Sequence, residues 1–409
     1  MRLVLALAAA TLISAPTGAA ASAFNDGTQR EPAAAAPTSP QEFAAGDPAF
    51  YEIPNPIPSG SHGDLVRWQR IEDSFTSMYR IMYLSTTMAG APTLVTGLVS
   101  TPDDPAPFGG YPLLVHGHGT VGLADVCAPS RAIEDRSLTY AFDFQGASSA
   151  AGGFVVASTD YEGLGGPGRH PFLVGVSEGG SMLDAGLAAG QISGVYVGTA
   201  TGIVGFSQGG HAALWANQLA AEWAPTLHVV GTVLVAPSSE VGEFVYAGVN
   251  DVARSPLTVA ILAGLAASYP EAEAALPSVL TDSALELIAI MDENCFGEQM
   301  PTTPAPYLQG DPTSVEPFAS LLAANTPGFV ASPAPVLIFH GDADLNVPIT
   351  HSETLLTRLC AAGQVVERRV FPGLDHVITS RDGIPAGIEW LAGLIAPSGA
   401  PAPVSSCPG

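Results

Sequence analysis

A serine, a carboxylate and a histidine stand in this chain in the order and local settings that nucleophilic acyl transfer requires. Ser207 lies in Gly205-Phe206-Ser207-Gln208-Gly209-Gly210, between the apolar run Thr201-Gly202-Ile203-Val204 and the helix-forming segment His211-Ala212-Ala213-Leu214-Trp215-Ala216. A serine on a tight strand-to-helix turn is held in a strained conformation with its hydroxyl exposed, and its small neighbours let strand and helix approach closely. The hydroxyl is a weak nucleophile until a base takes its proton, and the base needs an orienting carboxylate. Downstream, His340-Gly341-Asp342-Ala343-Asp344-Leu345-Asn346-Val347-Pro348 supplies Asp344 as that carboxylate and Asp342 as a turn former. Phe371-Pro372-Gly373-Leu374-Asp375-His376 supplies His376 as the base, and no histidine follows it. His351 is assigned to the rim of the site or to solvent. The oxyanion of a tetrahedral intermediate needs hydrogen-bond donors. The amide of Gln208 is one, and the glycine-rich turn His116-Gly117-His118-Gly119-Thr120 offers Thr120 first and Gly119 second.

Elements must exist to bring these residues together, and they also separate Ser207 from a rival. Gly175-Val176-Ser177-Glu178-Gly179 matches the same glycine-serine-glycine pattern. The run Gly153 to Asp160 reads as a buried strand, and a parallel neighbour needs a crossover of a dozen or more residues, usually a helix. The glycine- and proline-rich stretch Tyr161 to Pro171 cannot supply it before Ser177, whereas Ser181 to Ala189 can supply it before the strand ending at Gly205. Ser177 is therefore expected in a helix-entry loop, as a loop or cap serine.

Further apolar runs without alternation, at Pro112-Val115, Val229-Val235 and Pro335-Phe339, read as strands buried on both faces, with a last strand at Val365-Phe371. Leu65-Ile71, Ser77-Ser85 and Thr93-Ser100 read as a leading antiparallel edge. The predicted fold class is α/β, a mostly parallel, doubly wound sheet. The interval from Pro237 to about Pro333 holds helix-like stretches and no strand, too long for a structureless loop. It is expected to be a helical cap inserted after the sixth strand, over the strand ends where ligands bind in open α/β folds. The expected organisation is core at 62–237 and 334–409, cap at 238–333, and a Pro/Ala-rich N-terminal arm at 24–61.

The first residues, Met1-Arg2 and the apolar run Leu3 to Ile13, followed by Ala21-Ser22-Ala23, have the form of a secretory signal peptide, 1–23, cleaved near Ala23. No later segment offers about twenty uninterrupted apolar residues, so no retained transmembrane helix is expected. The formal charge is −25, with thirteen arginines and no lysine among only 12% charged residues. That scarcity of bases argues against nucleic acid as a partner and favours an uncharged small molecule. Cys127, Cys295, Cys360 and Cys407 show no metal-binding spacing, and in an exported chain they read as two disulfides with three possible pairings.

Taken together, these residues resemble the secretory lipase family of α/β hydrolases. The resemblance rests on His118-Gly119-Thr120 followed by Cys127-Ala128-Pro129-Ser130, on Asp160-Tyr161-Glu162-Gly163-Leu164-Gly165, on Leu183-Asp184, and on the Ser207, Asp344 and His376 segments. It implies the α/β-hydrolase fold and a secreted, monomeric lipase or carboxylesterase without metal or organic cofactor. Such an enzyme acts on lipid or other acyl esters such as triacylglycerol, with a possible lipid–water interface. It also implies the pairings Cys127–Cys295, tying cap to core, and Cys360–Cys407, tying down the C-terminal tail. The alternatives are a short-chain esterase or acyltransferase on the same scaffold, and a non-catalytic exported binding protein.

Overall fold

The apolar runs that lack alternation do form strands buried on both faces. The computed structural model describes residues 39–72, 76–133, 139–297, 305–396 and 404–407. The expected signal peptide, most of the tail and part of the arm lie outside them. Ten strands form one sheet: β1 (Gln41–Phe43), β2 (Leu65–Ile71), β3 (Ser77–Thr86), β4 (Pro92–Thr101), β5 (Tyr111–Gly117), β6 (Val155–Thr159), β7 (Val197–Phe206), β8 (His228–Val235), β9 (Val336–Gly341) and β10 (Val366–Phe371). Their order is β1-β2-β3-β4-β6-β5-β7-β8-β9-β10. β2, β3, β4 and β6 pair antiparallel, and the six strands from β6 to β10 are parallel.

The helices α1 (Pro129–Ala132), α2 (Thr139–Ala150), α3 (Gly175–Ala189) and α4 (Gln208–Trp223) fall between strands of the first half. Then come α5 (Val241–Asn250), α6 (Ser255–Ser268), α7 (Pro270–Val279), α8 (Asp282–Met291), α9 (Phe318–Ala324), α10 (Ile349–Ala361) and α11 (His376–Ile395). Successive strand residues face opposite sides of the sheet. Leu113, Val115, Ile203 and Leu234 accordingly pack with Leu183, Ala212 and Leu355 of α3, α4 and α10. Leu114, Val204 and Val233 pack on the other side with Phe144, Ile384 and Leu391 of α2 and α11. Each such aliphatic side chain contributes about 1.5–3 kcal/mol when taken fully from water, so the core that aligns the strand ends is also the main source of stability.

Helices α5 to α9 occupy the interval read as an insertion, and no strand forms there among the described residues. The insertion follows the eighth strand and not the sixth. Seven of these eight strands are the ones read from the sequence, so sixth was already one short of that reading, and the short strand β1, formed within the expected arm, adds the eighth. Its apolar core includes Val259, Leu262, Leu265, Leu276 and Leu287, and it closes over Phe172, Leu173 and Val347 from loops of the sheet domain. A Cβ on Gly264 would come within 2.5 Å of the Phe172 carbonyl oxygen, so α6 lies directly on that loop. Arg358 of α10 clasps both ends of the insertion, donating to Pro327 O at 2.8 Å and to both carboxylate oxygens of Glu240 at 3.0 and 2.7 Å. The disulfides join Cys127 to Cys295, beyond α8, and Cys360 to Cys407. These are the pairings the family resemblance implies.

Candidate active site

The turn between β7 and α4 has the backbone its glycines allow. Ser207 sits at φ 55°, ψ −114°, a conformation that costs a non-glycine residue about 1–3 kcal/mol and persists only where its surroundings enforce it. Enforcement comes from the Ser207 amide donating to Val235 O at 2.9 Å, and from the Ser207 carbonyl accepting from Gly210, His211 and Ser238. A Cβ on Gly205 would stand 1.9 Å from Gly209 O, and one on Gly209 would stand 2.0 Å from Gly117 O. The end of β5, the turn that carries Ser207 (the elbow) and α4 touch backbone to backbone, which only hydrogen side chains permit.

The loops after β9 and β10 bring the other two groups to Ser207. His376 opens α11, capped by Asp375, whose carboxylate accepts from Ile378 N at 2.8 Å. Its Nε2 lies 3.0 Å from Ser207 Oγ and its Nδ1 2.6 Å from Asp344 Oδ2. Asp344 Oδ1 accepts from the amides of Asn346 and Val347 at 2.9 and 2.8 Å. Burial alone would raise the Asp344 carboxyl, but hydrogen bonds from His340 and His376, the charge of His376 and the Val347 amide outweigh it, so the group titrates below the ordinary carboxylate range. Asp342 takes a different position: its Oδ1 accepts from Gly373 N at 2.6 Å and ties the two loops together.

Ser207 and His376 open onto a cavity of about 810 Å³. Gly119 and Thr120 line it beside them, together with His118. Phe172, Leu173, Phe244, Leu257, Phe296 and Val347 form an apolar wall where the helical insertion meets the core, and Gln145 and Ser149 of α2 with Ser380 and Arg381 of α11 add polar lining. Gln208 begins α4, and its side chain turns into the interior, away from the cavity. His118 is pushed down to about 4, chiefly by burial, so it is an uncharged wall.

The structure separates the two serine motifs. Ser177 lies in the first turn of α3, not in a loop, and its hydroxyl donates to Glu162 Oε2. The flanking glycines serve helix packing: a Cβ on Gly175 would overlap the Trp215 ring at 2.0 Å, and one on Gly179 would meet Ala216 N at 2.7 Å. His351 does not face solvent; it is buried, edge-on at 4.8 Å to Phe244, which lines the cavity. Three further histidines are held in hydrogen-bond networks. His340 Nε2 donates to Val347 O at 2.9 Å and lies 3.5 Å from Asp344 Oδ2, while His170 and His211 lie beneath the elbow with Glu178.

A mostly parallel sheet with helices on both faces, a strained serine on a strand-to-helix turn, an aspartate in the loop after β9 and a histidine after β10 define an α/β hydrolase. Lipase A of Candida antarctica in its closed state superposes with a TM-score of 0.71 at 20% identity, over 89% of this chain and 91% of that one. Residues 146–398 match the secretory lipase family, and the chain belongs to it. Among similar relatives are Lipase 9 of Candida albicans, 25% identical over 84% of this chain and 81% of its own length. A Mycobacterium tuberculosis protein named a probable inactive lipase is also 25% identical with the same coverage.

Proposed function

We propose that this protein is a secreted serine hydrolase that cleaves acyl esters through a covalent acyl-enzyme, with Ser207 as nucleophile, His376 as base and Asp344 as its orienting carboxylate. The observation that carries this reading is the unbroken relay Asp344–His376–Ser207 at the mouth of the cavity. His376 Nε2 takes the Ser207 proton as Oγ attacks the ester carbonyl, and Asp344 stabilises the imidazolium. The amides of Gln208 and Thr120, with Gly119 beside them, hold the oxyanion at the N-terminus of α4, where the helix dipole favours negative charge. His376 returns the proton to the departing alcohol, and a water activated by the same base then releases the acid. No metal or organic cofactor enters any step.

The helical insertion acts as a cap. Its apolar wall suits the acyl chain of a lipid-like ester, since apolar lining with a few polar groups is how small-molecule sites gain both affinity and orientation. A second reading, a binding protein that has lost catalysis, is prompted by the mycobacterial relative named probable inactive. Hydrolysis of p-nitrophenyl esters from acetyl to palmitoyl, by wild type and Ser207→Ala, decides between them. The expected result is activity greatest at medium or long chains and abolished by Ser207→Ala. Activity that persists in the variant overturns the nucleophile assignment, and a wild type inert on every ester supports the binding protein.

A further inference from the structure

Beneath the elbow, one buried carboxylate holds most of what surrounds the residue after Ser207. Glu178 of α3 is fully buried. Its Oε1 accepts from Gln208 Nε2 at 2.7 Å and from Leu173 N at 2.9 Å, and its Oε2 meets His211 Nδ1 at 2.9 Å. The second hydrogen of the Gln208 amide goes to His170 Nε2 at 2.8 Å, and His170 Nδ1 donates in turn to Glu162 O at 2.8 Å. Burial lowers the pKa of His170, which favours the neutral ring that this arrangement needs. His211 Nε2 donates to Asn325 O at 2.8 Å, so one proton sits in the Glu178–His211 contact and the pair is electrically neutral. A buried carboxylate close to a site that must hold an oxyanion would otherwise oppose the developing charge.

We infer that Glu178 is a positioning residue for the oxyanion hole, acting through the side chain of Gln208. This rests on the proposed acyl-enzyme reading. The Gln208 side chain is gripped by two acceptors, Glu178 and His170, while its own Oε1 finds no partner among the described residues. A glutamine placed only for packing would not spend both amide hydrogens on fixed acceptors and leave a buried carbonyl unpaired. The grip fixes rotation about the first turn of α4, and hence the direction of the Gln208 amide, at a place where small misplacements cost large factors in rate. Glu178 Oε1 also accepts from the amide of Leu173, a cavity-wall residue at φ 57°, so oxyanion donor and acyl wall share one anchor. Asn325, at the end of α9, extends the anchor into the cap by accepting from His211 and, through Oδ1, from Gly175 N.

The test compares Glu178→Ala, Gln208→Ala and the double variant, with kcat normalised to sites titrated by an active-site phosphonate and with KM and thermal unfolding measured alongside. Each single variant is expected to lose about 10–100-fold in kcat with KM nearly unchanged, and the double variant to be no slower than the slower single. Weakened inhibition by an alkyl boronic acid, whose tetrahedral adduct occupies the oxyanion hole, should follow the loss in kcat. Glu178→Gln can keep each contact with a neutral His211, and it should recover most of the rate lost in Glu178→Ala. A folded Glu178→Ala protein with wild-type kcat and boronate affinity, or losses that multiply in the double variant, overturns the inference. If Glu178→Ala does not fold, Gln208→Ala decides alone: unchanged kcat refutes the role. Failure of the acyl-enzyme reading itself appears separately, as activity retained by Ser207→Ala.

Discussion

His376 takes its orientation from Asp344, and Asp344 takes its own from two backbone amides and His340. The carboxylate thus titrates low beside the ring that, in the proposed mechanism, becomes cationic in the transition state. Asp344→Asn keeps the shape but presents the wrong partner to Nδ1, and kcat on a p-nitrophenyl ester is expected to fall about 10⁴-fold, as for the equivalent change in serine proteases. A fall under tenfold would show that Asp344 does not serve the base. At this scale the sequence was legible where chemistry imposes local pattern: the turn glycines around Ser207 and the loop settings of Asp344 and His376. It was illegible where a side chain works through distant partners. Glu178, His170 and His211 come from three separate segments, and Glu178 lies inside the rival motif whose glycines answer to Trp215 and Ala216.

The contact between β5, β7 and α4 has almost no tolerance. Gly209→Ala would drive a methyl to 2.0 Å from Gly117 O, and neither backbone can retreat without displacing the loop after β5 or the turn that carries Ser207. The expected outcome is loss of activity with lowered thermal stability, even though alanine is the better helix former, and a stable, fully active Gly209→Ala would contradict the close approach. The parallel strands and the run of helices after β8 were readable because uninterrupted apolar runs and their spacing report burial on both faces. The strand β1 was not readable, because it has only three residues and gains its place by pairing with β2. The clasp of Arg358 on Glu240 and Pro327 was equally silent, since its three members are distant in sequence.

Over the whole molecule, burial sets the response to acid. His116 is pushed down to about 3, by burial first and then by His118, and its Nδ1 lies 2.9 Å from Ser158 Oγ. A histidine whose pKa is depressed on folding lends stability above its unfolded value, near 6.5, and loses it as pH falls towards the folded value, because the unfolded chain binds the extra proton. His116→Asn removes that linkage alone. The stability gap between wild type and variant should narrow by about 2 kcal/mol between pH 7 and pH 5 in denaturant unfolding, and a constant gap would show that His116 does not titrate in this way. The net charge of −25 with no lysine, the two disulfides and the apolar cavity wall fit the proposed action on an uncharged ester. The most direct test of that account is to trap the enzyme with an alkyl fluorophosphonate and locate the adduct by peptide mass spectrometry. The account predicts one stoichiometric adduct on Ser207, absent in Ser207→Ala and suppressed by a competing ester. An adduct on Ser177, or none on a folded protein, would contradict it.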